Sequence, residues 1–324
     1  MRIVSLLPSA TEIICALGLR EQLVGVSHGC DYPPEIEGVA LVTRPAGAFG
    51  SAAPSASVAP GASLAPGASV ATGAGGAASG ARPDDELASA ELIREALRAC
   101  SPDLILMRED GAGPGSRQLE AVLIGADVSP TIVSLDPISL EGIFHSITTI
   151  GAMTETEDDA IELVEALRED LGELEQQVLA RHDQGLRPKR VVVLQGLMPL
   201  IASGRWVPEQ VRRSGGWDLL GREGEPAAPT SWEAILEVDP EMLMFAPAGL
   251  TLREAKAEFA RQERPEFWHD LEAVRRGQVF ILDPIYFSRP GPRVIDGVGM
   301  LAEIFDPDAF IDTSPPASWT PVFE

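Results

Sequence analysis

The sequence predicts an α/β protein in two halves, and three observations carry that prediction. The first 34 residues alternate strand, helix and strand; one helix–proline–strand pattern recurs in each half; and a long acidic stretch of helical periodicity lies between the halves. At 324 residues with 45% hydrophobic content, the chain is long enough for two lobes with cores of their own.

The opening run MRIVSLLPSATEIICALGLREQLVGVSHGCDYPP sets the pattern. Arg2 to Leu7 reads as a strand that stops at Pro8, which cannot continue a central ladder. Ser9 or Thr11 is expected to cap a helix whose apolar positions Ile13, Ile14, Ala16, Leu17 and Leu19 share a face, with Gly18 near its end. Leu23 to Val26 then reads as a second strand that delivers Ser27, His28, Gly29, Cys30, Asp31 and Tyr32 into a loop closed by Pro33 and Pro34. In open α/β sheets, ligands bind at such carboxyl ends of strands.

From Pro45 to Pro83 the composition turns to Ala, Gly, Ser and Pro in a loose hexad, PSASVA, PGASLA, PGASVA, TGAGGA. So little side-chain surface cannot offset the entropy of ordering, and a flexible insert is expected. A helix is predicted for Asp85 to Cys100, a strand for Leu104 to Met107, then Arg108, Glu109, Asp110 and the Gly-rich GAGPGS loop. That loop has neither GxGxxG nor a Walker lysine, so it makes a poor nucleotide site. Helix is predicted again for Gln118 to Leu123, and strand for Thr131 to Leu135. Helical periodicity runs from Leu140 to Ile150 and from Asp158 to His182. RVVVLQ at Arg190 to Gln195 opens the second half. In the Gly204-Arg205-Trp206 segment, Trp206 is either a packing wedge or a flat platform. Val279 to Leu282 is a strand ending in Asp283, Tyr286, Phe287, Ser288 and Arg289, where the aromatics are either core or pocket. Ser314 to Glu324 reads as an exposed tail.

Two segments echo one another: SAELIREALRACSPDLILM at Ser89 to Met107 and TSWEAILEVDPEMLMF at Thr230 to Phe245. In each, a glutamate (Glu95, Glu233) stands seven residues before a proline that closes the helix, and an apolar strand follows.

Charge narrows the partners. A formal net charge of -24, from 49 acidic and 25 basic residues, leaves no basic footprint for nucleic acid or an anionic membrane. No apolar run approaches the length of a membrane span. With no leader before the first strand, the chain as written is expected in the cytoplasm, and outside it if a leader has been removed. Three cysteines form no disulfide framework. Cys15 and Cys100 fall in apolar helical patterns, whereas Cys30 follows His28 by two residues, too few ligands for a structural zinc site.

The runs RIVSLLPSATEI and VGVSHGCDYPP resemble the start of the cobalamin-binding members of the periplasmic-binding-protein superfamily, which also takes up siderophores and haem; the likeness extends to about Phe310. The resemblance implies two Rossmann-like lobes with mostly parallel sheets joined by a single long α-helix. The expected divisions are residues 1–135, with the 45–83 insert, a helical linker at 136–188, a second lobe at 189–313 and a tail at 314–324. It further implies a corrinoid, cobalamin or a precursor, bound between the lobes as ligand and not as a cofactor of the protein's own, by a chain that serves either as the substrate-binding component of an ABC-type uptake system or as an intracellular corrinoid carrier. Pro8, Ser9, His28, Cys30, Asp31, Tyr32, Arg108, Trp206, Tyr286, Phe287 and Arg289 are the expected ligand contacts, with His28 a candidate cobalt contact and no resident metal. His28, Trp206 and Tyr286 are expected to converge on one hollow. Family members often carry cysteines in the loop after Met107, and this chain has none there. Glu95 and Glu233 resemble the pair that docks on arginines of an ABC permease. The expected form is a monomer, without catalysis. Two alternatives stand beside this reading: a ferric siderophore or haem in the same cleft, for which an acidic chain is a poor trap, and an enzyme using Cys30 as nucleophile helped by His28 or Asp31.

Overall fold

A computed structural model describes residues 1–45, 90–108, 115–124 and 129–323. Most of the Ala-rich insert, the start of the helix predicted from Asp85, and Glu109, Asp110 and most of the Gly-rich loop lie outside the described residues.

The first lobe is built on a five-stranded parallel sheet. Its order is Ala40–Leu41, Leu23–Val26, Ile3–Ser5, Leu104–Met107, Thr131–Ser134. Chain order therefore reverses direction at Ile3–Ser5, and the crevice between its carboxyl end and that of Leu104–Met107 is the switch point where such sheets bind ligands. Central strands with both faces covered must be apolar throughout, and Leu104, Ile105, Leu106 and Met107 are all buried. The helix after the first strand starts at Pro8 itself, Pro8–Ala16, with Leu7 as N-cap and no side-chain cap. Proline at the first helical position needs no N–H donor, and Thr11 instead donates back to the Leu7 carbonyl at 3.1 Å.

The insert leaves this lobe intact. Thr43–Pro45 and Ala90–Leu92 pair antiparallel with Pro45 opposite Ala90, so the two ends of the insert leave and rejoin the lobe side by side. Loop length then adds only a slowly growing entropic cost. The strand at Ala90–Leu92 also means that the helix predicted from Asp85 begins only at Arg94, running Arg94–Cys100.

One long helix joins the lobes, and a shorter one leads into it. Leu140–Thr154 ends where Glu155 turns left-handed (φ 60°), and Glu157–Asp183 follows. Its 27 residues span about 40 Å. At the bend a Cβ on Gly151 would lie 2.5 Å from the Ala160 Cβ, so the close helix approach requires glycine. The second lobe carries a seven-stranded mixed sheet, ordered Ala228–Pro229, Leu200–Ala202, Lys189–Leu197, Met242–Phe245, Val279–Leu282, Trp319–Pro321, with Gly216–Asp218 paired beside Lys189–Leu197. The expected C-terminal tail is in fact an edge strand. Trp319–Pro321 pairs antiparallel with Val279–Leu282, and the Trp319 ring meets Phe280 edge-on at 5.7 Å. One apolar core is continuous from Ile3 and Ile143 through Leu167 to Val193, Val298 and Phe305, so the lobes share packing across the joining helices.

A buried acid holds the second lobe's turn after Gly216–Asp218. Asp218 accepts from Ser203 Oγ at 2.5 Å and from the Leu220 and Gly221 amides at 3.2 and 2.9 Å. Burial outweighs these bonds and raises its carboxyl from 3.8 to about 6. The folded state thus holds this proton more tightly than the unfolded chain. The group's penalty is full above pH 6 and fades as pH falls toward 4. Comparing wild type with Asp218→Asn by urea denaturation, the difference should move in favour of wild type by on the order of 3 kcal/mol as pH drops from about 8 to about 4. A difference independent of pH would contradict the burial of a raised acid.

Candidate functional site

Loops from the carboxyl ends of both sheets line one partly open hollow. From the first lobe come Leu7, Pro8 and Ser9 after the first strand, Gly29 after the second, Arg108 after Leu104–Met107, and Leu135 and Pro137 after Thr131–Ser134. From the second come Gly249, which follows Met242–Phe245, and Ser288, Arg289 and Pro290, which follow Val279–Leu282. The strand-end positions that end each apolar run are therefore the ones that form the wall. The surface is apolar and ring-faced, with two guanidinium groups and a few hydroxyls.

Ion pairs cross between the lobes on both flanks of this hollow. On one flank, Asp136 accepts from Arg205 Nη1 at 2.6 Å and lies 3.5 Å from Arg108 Nε. Arg205 reaches it from a left-handed backbone (φ 56°), uncommon for a bulky residue. On the other flank, Arg289 forks onto Asp31 (2.5 and 3.0 Å), and Arg293 forks onto Glu12 (2.9 and 2.5 Å) with its guanidinium 4.1 Å over the Tyr32 ring. Burial pushes the Asp31 carboxyl up, but the hydrogen bond and charge of Arg289 outweigh it and leave the acid below its usual value.

Of the sequence-predicted contacts, Pro8, Ser9, Arg108 and Arg289 lie on the wall. Asp31 and Tyr32 stand at its rim through the two arginines. His28, Trp206 and Tyr286 do not converge there. His28 is turned toward the neighbouring strand, its Nδ1 2.8 Å from Thr43 Oγ1, and burial lowers its pKa. Trp206 is 2% exposed inside the main core, and its Nε1 has no partner among the described residues. It is the wedge, not the platform, because the helix Val207–Arg213 starting beside it buries the ring. Phe287 is fully buried and belongs to that core as well, and Tyr286 packs against the core. The one-turn helix Ile285–Ser288 turns these aromatics inward and leaves Ser288 and Arg289 for the wall.

Cys30 fits neither wall nor nucleophile. Its sulfur lies 3.1 Å from Thr11 Oγ1 and 3.3 Å from Ser27 Oγ, and it borders a separate groove with Pro33 and Ile36. Burial raises its thiol pKa against these hydrogen bonds. A thiol held protonated is a poor nucleophile.

The profile of the family described as Periplasmic binding protein matches residues 3–286. The chain belongs to that family. Members of this periplasmic binding protein family are solute-binding proteins. The chain is 24% identical to the ABC transporter substrate-binding lipoprotein YvrC of Bacillus subtilis (strain 168), over 95% of this chain and 81% of that one. It is 25% identical to the vitamin B12-binding protein of Pectobacterium atrosepticum, over 91% and 84%. Its fold is similar to that of a periplasmic heme-binding protein from Pseudomonas aeruginosa, with a TM-score of 0.67 and 22% identity over 95% and 93% of the two chains.

The two echoed segments of this periplasmic binding protein fold are alike in three dimensions. Arg94–Cys100 and Trp232–Val238 are both seven-residue helices with an exposed glutamate (Glu95, Glu233) at their second position. Each ends at a left-handed residue, Ser101 (φ 41°) or Asp239 (φ 38°), before the proline and the strand. Sequence reasoning missed Glu12, Asp136, Arg205 and Arg293. A signal existed for Glu12, the one charge in the otherwise uncharged helix PSATEIICA. The partners lie 281 residues apart, and no local pattern links them. Trp206→Ala should cost about 3–5 kcal/mol of folding stability in urea denaturation, as a buried aromatic does. Unchanged stability with lost ligand binding would restore the platform reading.

Proposed function

We propose that the chain binds a corrinoid, cobalamin or a precursor, in the hollow between its lobes, as the substrate-binding component of an ABC-type uptake system. The observation that carries the reading is the composition of the wall. Prolines, leucine and isoleucine offer apolar contact to a macrocycle, while Arg108, Arg289 and the Ser9 hydroxyl offer donors to peripheral amide oxygens.

A haem in the same place would take an axial ligand from His, Cys, Met or Tyr; the described wall is built of other residue types, and Tyr32 at the rim has its ring under the Arg293 guanidinium. Cobalamin brings both axial ligands of its cobalt with it and asks only for shape and hydrogen bonds. The vitamin B12-binding name of a relative matched over 91% of the chain points the same way. In this reading the protein acts by capture and delivery without catalysis, and Glu95 and Glu233 dock the loaded protein on basic residues of a permease. Their matched helix positions support it, as does the carboxyl of Glu233, held below its usual value by backbone and Ser231 hydrogen bonds and therefore ionised.

Isothermal titration with cyanocobalamin, dicyanocobinamide and haem tests this. The expected result is saturable one-to-one binding of cyanocobalamin at about micromolar Kd or tighter, with haem at least about tenfold weaker. No heat from either corrinoid up to about 1 mM, or tighter binding of haem, would overturn it.

A further inference from the structure

One side chain belongs both to the wall and to the seal between the lobes. Arg289 lines the hollow, yet its guanidinium is already held by Asp31 through two hydrogen bonds, with Nη1 also 3.6 Å from Glu12 Oε1. Four residues on, Arg293 makes its own fork with Glu12. The two forks differ in burial. The Glu12 and Arg293 side chains are 3% and 16% exposed, whereas Asp31 is 61% exposed opposite an Arg289 at 12%. Breaking the inner pair would strand a charge away from water, while the carboxylate of the outer pair can return to solvent at little cost. The inner pair is the fixed one and the outer pair is exchangeable.

We propose that Asp31 is an internal competitor for the bound ligand: Arg289 leaves Asp31 for an acceptor oxygen on the edge of the macrocycle, while Glu12, through Arg293, positions the turn that carries Arg289. This rests on the corrinoid reading above, in which the acceptor is a peripheral amide or the phosphodiester of cobalamin; in haem it would be a propionate. The packing fits such a hinge point. Gly291, between the two arginines, faces the first helix, where a Cβ would make ordinary contact with Glu12 Oε2 at 3.4 Å and the Ser9 Cα at 3.6 Å. The turn is thus fixed against the helix that supplies Pro8 and Ser9 to the same wall. The residue that bridges the lobes at the cleft is thus also the one that meets the ligand.

The competitor role predicts a gain of affinity on removing a charge, which a merely structural pair would not give. Asp31→Asn keeps the size of the side chain and gives up the charge that holds Arg289. It should tighten cyanocobalamin binding about 3- to 10-fold, whereas Arg289→Gln should weaken it about 10-fold or more. The two changes must couple: in the Arg289→Gln background, Asp31→Asn should have no effect. Titrating wild type, both single variants and the double variant with cyanocobalamin decides the matter. Equal or weaker binding by Asp31→Asn overturns the inference, and so does a gain that persists without Arg289, since Asp31 would then act on the ligand directly. The same four proteins titrated with haem separate the two failures. Binding of haem alone rejects the corrinoid reading and still tests the competition by the same pattern, while binding of neither macrocycle overturns both.

Discussion

A single buried carboxylate ties the second lobe to the helices that carry the first. Glu209 is 8% exposed, and its Oε2 accepts the amide of Leu140, the first residue of the first joining helix, at 2.9 Å. That amide is one of the donors a helix leaves unsatisfied at its start, and an acid there also faces the positive end of the helix dipole. The other oxygen takes Arg213 at 3.0 Å, and Arg213 reaches Glu175 on the second joining helix at 2.5 Å. One side chain of the lobe beyond the linker thereby registers both helices. Everything at the cleft depends on that registration, because the second lobe supplies Gly249, Ser288, Arg289 and Pro290 to a wall otherwise built by the chain before it. With a shared apolar core behind it, the arrangement allows small adjustments at the cleft and resists a wide hinge opening.

Charge is distributed to match. The chain carries a formal net charge of -24, yet four arginines, Arg108, Arg205, Arg289 and Arg293, gather around the hollow. Each faces a carboxylate: Asp136 for the first two, Asp31 and Glu12 for the others. Four guanidinium groups thus meet three carboxylates around the hollow, and they present directional N–H donors at short range.

Much of the architecture was legible in the sequence. The parallel strands announce themselves as unbroken apolar runs, LILM, VVVL, MLMF and VFIL, because both of their faces are covered. The helix–proline–strand echo was also legible, since a left-handed residue before a proline ends a helix wherever it occurs. What could not be read was direction. Trp206 and Phe287 stand beside wall residues in the chain, and only the helices that start at Val207 and Ile285 decide that the rings turn inward. Trp319 looked like tail because its partner strand lies some forty residues earlier and has no local signature. The ionic pairs across the cleft join residues separated by 258 and 281 positions, which only the closed fold brings together.

The central claim is that a corrinoid sits between the first helix and the turn after Val279–Leu282. A crystal structure of the protein grown with cyanocobalamin tests it most directly. The account predicts the corrin ring between Pro8–Ser9 on one side and Ser288–Pro290 on the other, within reach of Arg108 and Arg289. A corrinoid seated outside that hollow, with those residues untouched, would contradict it.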